Sequence, residues 1–190
     1  MDIDDLIMRC KMKKIKKDEI QDIVSNIRDD SDYLYDCLYI VGQMNLFEYE
    51  YLFQKYLNHT VRPDVVKLVL LVLCDYWGKT RNYLSYVIKY AENSEWDFTE
   101  EVKLVCISII GKYLFERTNQ FRKEEISLIK LLLTIYSSTD SNKDISMEAY
   151  RSLCLASGDV SMKLKMGSNF SVDEKIVRWA ESLLKSPMTT

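Results

Sequence analysis

The chain of 190 residues has little of what bends a backbone or performs chemistry. It holds 5 glycines and 2 prolines, too few for the turns of a β sandwich or barrel, and its apolar residues recur at helical rather than alternating spacing. An all-α fold is expected. The single histidine, His59, has no ligand-type neighbour at metal-binding spacing, so neither a structural zinc nor a cofactor is expected. No glycine-rich phosphate loop, nucleophile elbow or paired metal-ligand motif occurs, which points away from an enzyme. Long hydrophobic runs are missing too. The longest apolar stretch, 65–74, is interrupted by Lys67 and is about half of the roughly 20 residues needed to cross a bilayer. The acidic start, Met1-Asp2-Ile3-Asp4-Asp5, lacks the basic and apolar regions of a secretion signal. The cysteines, Cys10, Cys37, Cys74, Cys106 and Cys154, are odd in number and widely spaced, as suits small hydrophobes in a reducing compartment; a cytoplasmic location is expected. A formal net charge of -3 argues against neutralising phosphate backbones as a main task, so nucleic acid is not the expected partner, and neither is a membrane.

What is present is a recurring pattern. An apolar or small residue, another four positions on and a glycine nine positions on occur as Tyr33, Cys37, Gly42, as Val102, Cys106, Gly111, and as Ala149, Leu153, Gly158. Between the first two copies, Val66 to Cys74 continues the apolar pattern with Asp75 where the glycine would fall. Each copy sits in a helical segment preceded by another apolar helix, and such a pair must bury its face against neighbours.

The periodicity predicts an amphipathic helix through 1–17, with Met8, Met12 and Ile15 on its dry side and Lys11, Lys13, Lys14, Lys16 and Lys17 on its wet side; the alternative use of that lysine run is contact with nucleic acid or an anionic surface. Further helices are expected at 18–28, 33–44, 47–58, 63–77, 81–91, 99–116, 123–137 and 145–157. Pro63 suits a first turn, Gly78 a helix end and Thr99 an N-cap. The tract Ser137 to Asn142 reads as the longest loop, residues to Asn169 read as irregular, and Ser171-Val172-Asp173-Glu174 reads as a capping box before a final helix.

The pattern resembles a HEAT repeat over roughly residues 17–158. Pro63-Asp64-Val65-Val66-Lys67 and Glu101-Val102-Lys103 with Ile109-Ile110-Gly111 carry the resemblance, and the copies begin 33, 36 and 47 residues apart. The chain departs from the family in having valine, leucine or cysteine where alanine is usual. The resemblance implies a short right-handed α-solenoid of about four helix pairs, a single domain over 1–190 with a linker and capping helix after 158. It also implies a binding rather than catalytic role. Helical-repeat DNA glycosylases of the alkylated-base type use Trp and Asp in a basic groove, and Asp75-Tyr76-Trp77 offers those residue types. The alternative is that Trp77 packs at a helix end.

If each second helix buried one stripe, Leu34, Tyr35, Leu38 and Tyr39, then Leu68, Leu71 and Val72, then Leu104 and Ile107 would face outward, as an apolar groove or inside a tightly curved stack. From Asp29 through Glu50 there are six acids and no lysine or arginine, with tyrosines and Phe47 interleaved. That is either a surface steering a basic partner or a solvated edge over a tyrosine-rich core. The expected interface is centred on Asp32, Tyr35, Asp36, Tyr39, Glu48 and Glu50, extending toward Leu68, Leu71 and Asp75. The expected function is non-catalytic capture of a protein, in concrete form a bacterial immunity protein that neutralises a basic toxin domain. A nucleic-acid-binding repeat protein and a general scaffold adaptor are the alternatives.

Overall fold

The computed structural model describes residues 2–93, 95–116, 121–139, 142–159 and 172–185. They form ten α-helices: α1 Ile3–Lys11, α2 Lys17–Arg28, α3 Leu34–Gln43, α4 Glu50–Tyr56, α5 Pro63–Leu70, α6 Thr80–Glu92, α7 Glu101–Phe115, α8 Lys123–Ser137, α9 Lys143–Ser157 and α10 Glu174–Lys185. No strand occurs among the described residues, so the all-α expectation holds. Part of the 137–142 loop, the irregular stretch up to Asn169 and Ser171 of the expected capping box lie outside the described residues. The chain divides into two compact units, residues 1–86 with 95–102 and residues 87–94 with 103–190.

In the first unit, α1 is set by its ends. The Asp2 side chain accepts the Asp5 N–H at 3.2 Å, and acids in the first turn and Arg9 and Lys11 in the last complement the helix dipole. The helix stops at Lys11, short of the expected 17, and Lys13 takes a positive φ of 56° to turn the chain. Extending α1 would line up lysines three and four apart, where like charges repel. Its buried residues are Leu6 and Cys10, whereas Met8 and Met12 are exposed; the expected stripe was therefore a face away from the true one. Cys10 lies against α3, its Sγ 3.8 Å from the Ile40 carbonyl. Glu19 closes the turn, accepting the Lys16 N–H at 2.8 Å and pairing with Arg9 at 2.7 Å. The Lys16 N–H first and Arg9 next hold its carboxyl below the usual carboxylate range.

The segment expected as one helix from 47 to 58 begins as a 3-10 turn, Phe47–Tyr49, before α4. The one expected from 63 to 77 divides after Leu70, where the backbone widens into a π-helix over Leu71–Tyr76. Trp77 N–H then reaches Val72 O, five residues back, at 2.9 Å, and the Thr80 hydroxyl covers Cys74 O at 3.1 Å. Gly78, at φ 65°, completes the exit. The insertion turns Trp77 inward, where its indole N–H donates to Gly42 O at 3.1 Å; Trp77 thus packs at a helix end. A Cβ on Gly42 would lie 2.5 Å from Val72 Cγ2, so this glycine permits the close crossing of α3 and the π segment.

The N-cap of α7 is not Thr99. The buried Asp97 carboxylate accepts the Val102 N–H at 2.8 Å and holds the turn in which Glu100 takes φ 56°. A carboxylate makes a stronger cap than a hydroxyl at the positive end of a helix.

In the second unit α8 and α9 pack against each other and α10 packs on both. Gly111 of α7 meets Ser152 of α9, with Ser152 Cα only 2.8 Å from where a Cβ would stand. The Ser152 hydroxyl donates to Ile107 O at 2.9 Å, which satisfies a fully buried polar side chain. Gly158, third of the spaced glycines, ends α9 at φ 86° with nothing near its would-be Cβ. The motif glycines thus serve two purposes, close approach at Gly42 and Gly111 and a left-handed helix end at Gly158. Tyr150 anchors α10, its phenol oxygen accepting the Asp173 N–H at 2.7 Å while Asp173 caps Lys175 N at 2.9 Å.

Candidate protein-binding surface

The expected interface residues fall into three physical groups. Asp32, on the turn before α3, is exposed, and Tyr35, Asp36 and Tyr39 follow on α3, half-buried. Tyr35 and Tyr39, four apart on α3, form one row of that helix with Asp36 in the row beside it, and Asp32 precedes the helix. Each tyrosine is partly open to solvent, and tyrosine gives contact area at small entropic cost.

Glu48 is exposed on the 3-10 turn, but Glu50 faces inward. Its carboxylate takes Lys79 Nζ at 2.5 Å and accepts a short hydrogen bond from the Tyr83 hydroxyl, which in turn accepts from Gln54 Nε2 at 2.9 Å. Burial opposes the charge of Glu50, yet the hydrogen bonds from Lys79 and Tyr83 outweigh it and leave the pKa lowered. Burial, with the neighbouring Glu50, pushes Tyr83 up to about 12. Lys79 also lies 5.5 Å from the Phe47 ring centre and 5.6 Å from that of Trp77, and Trp77 stacks edge-on with Phe47 and Phe53 at 5.2 and 4.9 Å. Glu50 belongs to this aromatic cluster and has its charge balanced there.

The third group departs from expectation. Leu68 is buried, while Leu71 and Asp75 on the π segment are half-buried. Among the other apolar positions expected to face outward, Leu34, Leu38, Val72 and Ile107 are buried, and Tyr35, Tyr39 and Leu104 are half-buried. Most of these faces are core, and no open groove needs to be filled along Leu34, Leu38, Leu68 and Val72.

The acidic segment is also less one-signed in space than along the chain. Arg28 donates to the Tyr51 hydroxyl at 2.7 Å, Lys55 Nζ approaches Arg28 O at 3.5 Å, and Asp30 acts electrostatically on Arg62. Exposed in the first unit are Asp29, Asp30, Asp32 and Glu48, and also Tyr33, Phe47, Tyr51 and Tyr76. Sequence reasoning missed Lys79, which neutralises Glu50 from 29 positions away, and two apolar residues on turns, Val61 and Phe98. The signal for the latter was available: an apolar residue in a polar connector, outside either helix's periodicity.

All five cysteines are free thiols and buried. Burial pushes Cys37 and Cys74 up to about 12 and Cys154 to about 11, the opposite of the shift that activates a thiol. Among the described residues no group of three or more His, Cys, Asp or Glu could hold a metal ion, and no helix is long and apolar enough to cross a membrane. Comparison with protein-family models, curated proteins and solved structures gives no match to this chain.

Proposed function

We propose that this protein is a non-catalytic binding module of HEAT-like helix pairs that captures a basic protein, in its concrete form an immunity protein that neutralises a toxin domain. The observation that carries the reading is the exposed combination of Asp29, Asp30, Asp32 and Glu48 with partly open tyrosines at 33, 35, 39 and 51. Acids accelerate encounter with a cationic surface and aromatic side chains supply the anchoring contacts. Thiols and a phenol shifted toward their neutral forms fit a binding role better than nucleophilic chemistry. Such a module occupies a basic nuclease surface where phosphate would otherwise lie.

The test is co-expression with the product of an adjacent toxin-type gene. Rescue of growth, with a complex whose association slows as salt rises, is the expected result. If that product neither binds nor is neutralised, the immunity form of the proposal is lost.

A further inference from the structure

The lysine run that the protein-binding reading leaves unused lies where α1 turns into α2. Lys11, Lys13, Lys14, Lys16 and Lys17 are all exposed. Between residues 6 and 21 the other charges are Arg9, Asp18 and Glu19, and Arg9 and Glu19 pair with each other at 2.7 Å. Five lysines therefore face one carboxylate. The next acids along the two helices, Asp5 and Asp22, sit back from the turn by about 9 and 8 Å of helix and line the groove between α1 and α2 together with Arg9. α3 packs on both helices and adds no charge near the turn: Cys10 Sγ meets Ile40 O, and residues 37–47 carry none.

The fold alone does not favour these placements. Lys14 N donates to Arg9 O at 2.8 Å and Lys13 N to Cys10 O at 2.9 Å, the helix closure that usually places a glycine where Lys13 stands at φ 56°. Lys16 and Lys17 occupy the N-cap and first position of α2. That is the positive end of the helix dipole, where a cation is unfavourable.

Apolar side chains stand beside the charge. Met8 and Met12 are 52% and 54% exposed, and residues 8, 11 and 12, spaced by three and four, share one face of α1. Two flexible thioether side chains thus flank Lys11. A nucleic-acid backbone pairs with the lysines but gives methionine nothing to bury against, whereas the headgroup boundary of an anionic bilayer takes both. We propose that the α1–α2 turn docks on an anionic lipid surface, its lysines among the headgroups and Met8 and Met12 at the acyl boundary. The contact is peripheral, and it uses a different surface from the acids and tyrosines of the proposed function, so the two stand or fall separately.

The test is sedimentation of the full chain with vesicles of phosphatidylcholine alone and with about one fifth phosphatidylserine, beside a titration with a duplex DNA oligonucleotide. Binding to the anionic vesicles, absent from phosphatidylcholine alone and weakened by salt, is expected. A lysine near an anionic surface contributes about fivefold, so the Lys14→Gln, Lys16→Gln, Lys17→Gln variant should lose about a hundredfold in vesicle affinity. Its melting temperature should hold or rise, because two cations leave the positive end of α2. The Met8→Ser, Met12→Ser variant should bind vesicles about tenfold more weakly at an unchanged melting temperature. Equal binding to phosphatidylcholine, no binding to the anionic vesicles, or undiminished binding by the lysine variant would overturn the site. DNA bound as tightly as the anionic vesicles, with no effect of the methionine changes on either, would assign the lysines to nucleic acid and overturn the bilayer.

Discussion

Replacing Gly111 by alanine tests the packing of α7 on α9 directly. The new Cβ would stand 2.6 Å from Ser152 Oγ, 2.7 Å from its Cβ and 2.8 Å from its Cα. Ordinary contact between carbons begins near 3.5 Å, so the overlap is about 0.8 Å. Rotating a side chain cannot relieve it, because Ser152 Cα is backbone; the helices must separate. Overpacking of this kind costs about 1–3 kcal/mol. Separation also stretches the buried 2.9 Å bond from Ser152 Oγ to Ile107 O, at about 1–3 kcal/mol for a buried group left unsatisfied. Alanine returns about 1 kcal/mol through its higher helix propensity. The net loss is about 3 kcal/mol, a fall in melting temperature of about 6–12 °C for a chain of this size. Urea denaturation with the Gly111→Ala, Ser152→Gly pair reads it as a double-mutant cycle, and the second change should restore only part of the loss because the Cα remains. Gly158→Ala, with open space around it and φ 86°, should cost about 1–2 kcal/mol through left-handed strain alone. A Gly111→Ala protein as stable as the parent would show that the close crossing is not needed to hold the two helices.

Glu50 gives a pH-dependent prediction. Its folded pKa lies below its ordinary value of 4.5, so its contribution is present above that value and is lost as pH falls through the folded pKa. Glu50→Gln should lower stability at neutral pH by about 1 kcal/mol and flatten the loss seen on acidification; an unchanged acid limb would refute this. The five buried thiols should resist a thiol reagent at pH 8 in the folded protein and all react in denaturant, as counted by mass spectrometry. Rapid labelling of Cys37 or Cys74 without denaturant would contradict their burial.

Much of the fold is legible in the sequence because helical periodicity and end signals are local. Pro63 opens α5 as its residue type indicates, and Gly42 and Gly111, singled out by their spacing, sit at close approaches. The failures share a cause, which is that the deciding partner is distant along the chain. Spacing alone cannot separate an interior glycine from Gly158 at a helix end. The lysine run reads as a helix face until repulsion and the Lys13 turn break it. Lys79 is 29 residues from the Glu50 it neutralises, and Asp97 lies outside the helix whose N-terminus it caps.

The same reasoning explains why part of the candidate surface was misplaced. An outward face can be inferred for a helix that buries one stripe, but α3 buries Leu34, Cys37, Leu38, Ile40 and Val41, and α5 buries Val65, Val66, Leu68, Val69 and Leu70. Neither set fits on a single stripe about 100° wide. These helices are covered on more than one side, so their apolar residues report neighbours within the unit and say little about a partner. Surface chemistry is then left to the elements that cannot be enclosed: the half-open tyrosines of α3, the Phe47 edge and the turns between helices. A turn carries no periodicity from which to read the direction of a side chain, which is why Val61 and Phe98 pass unnoticed in the sequence although they are the most exposed large apolar side chains among the described residues.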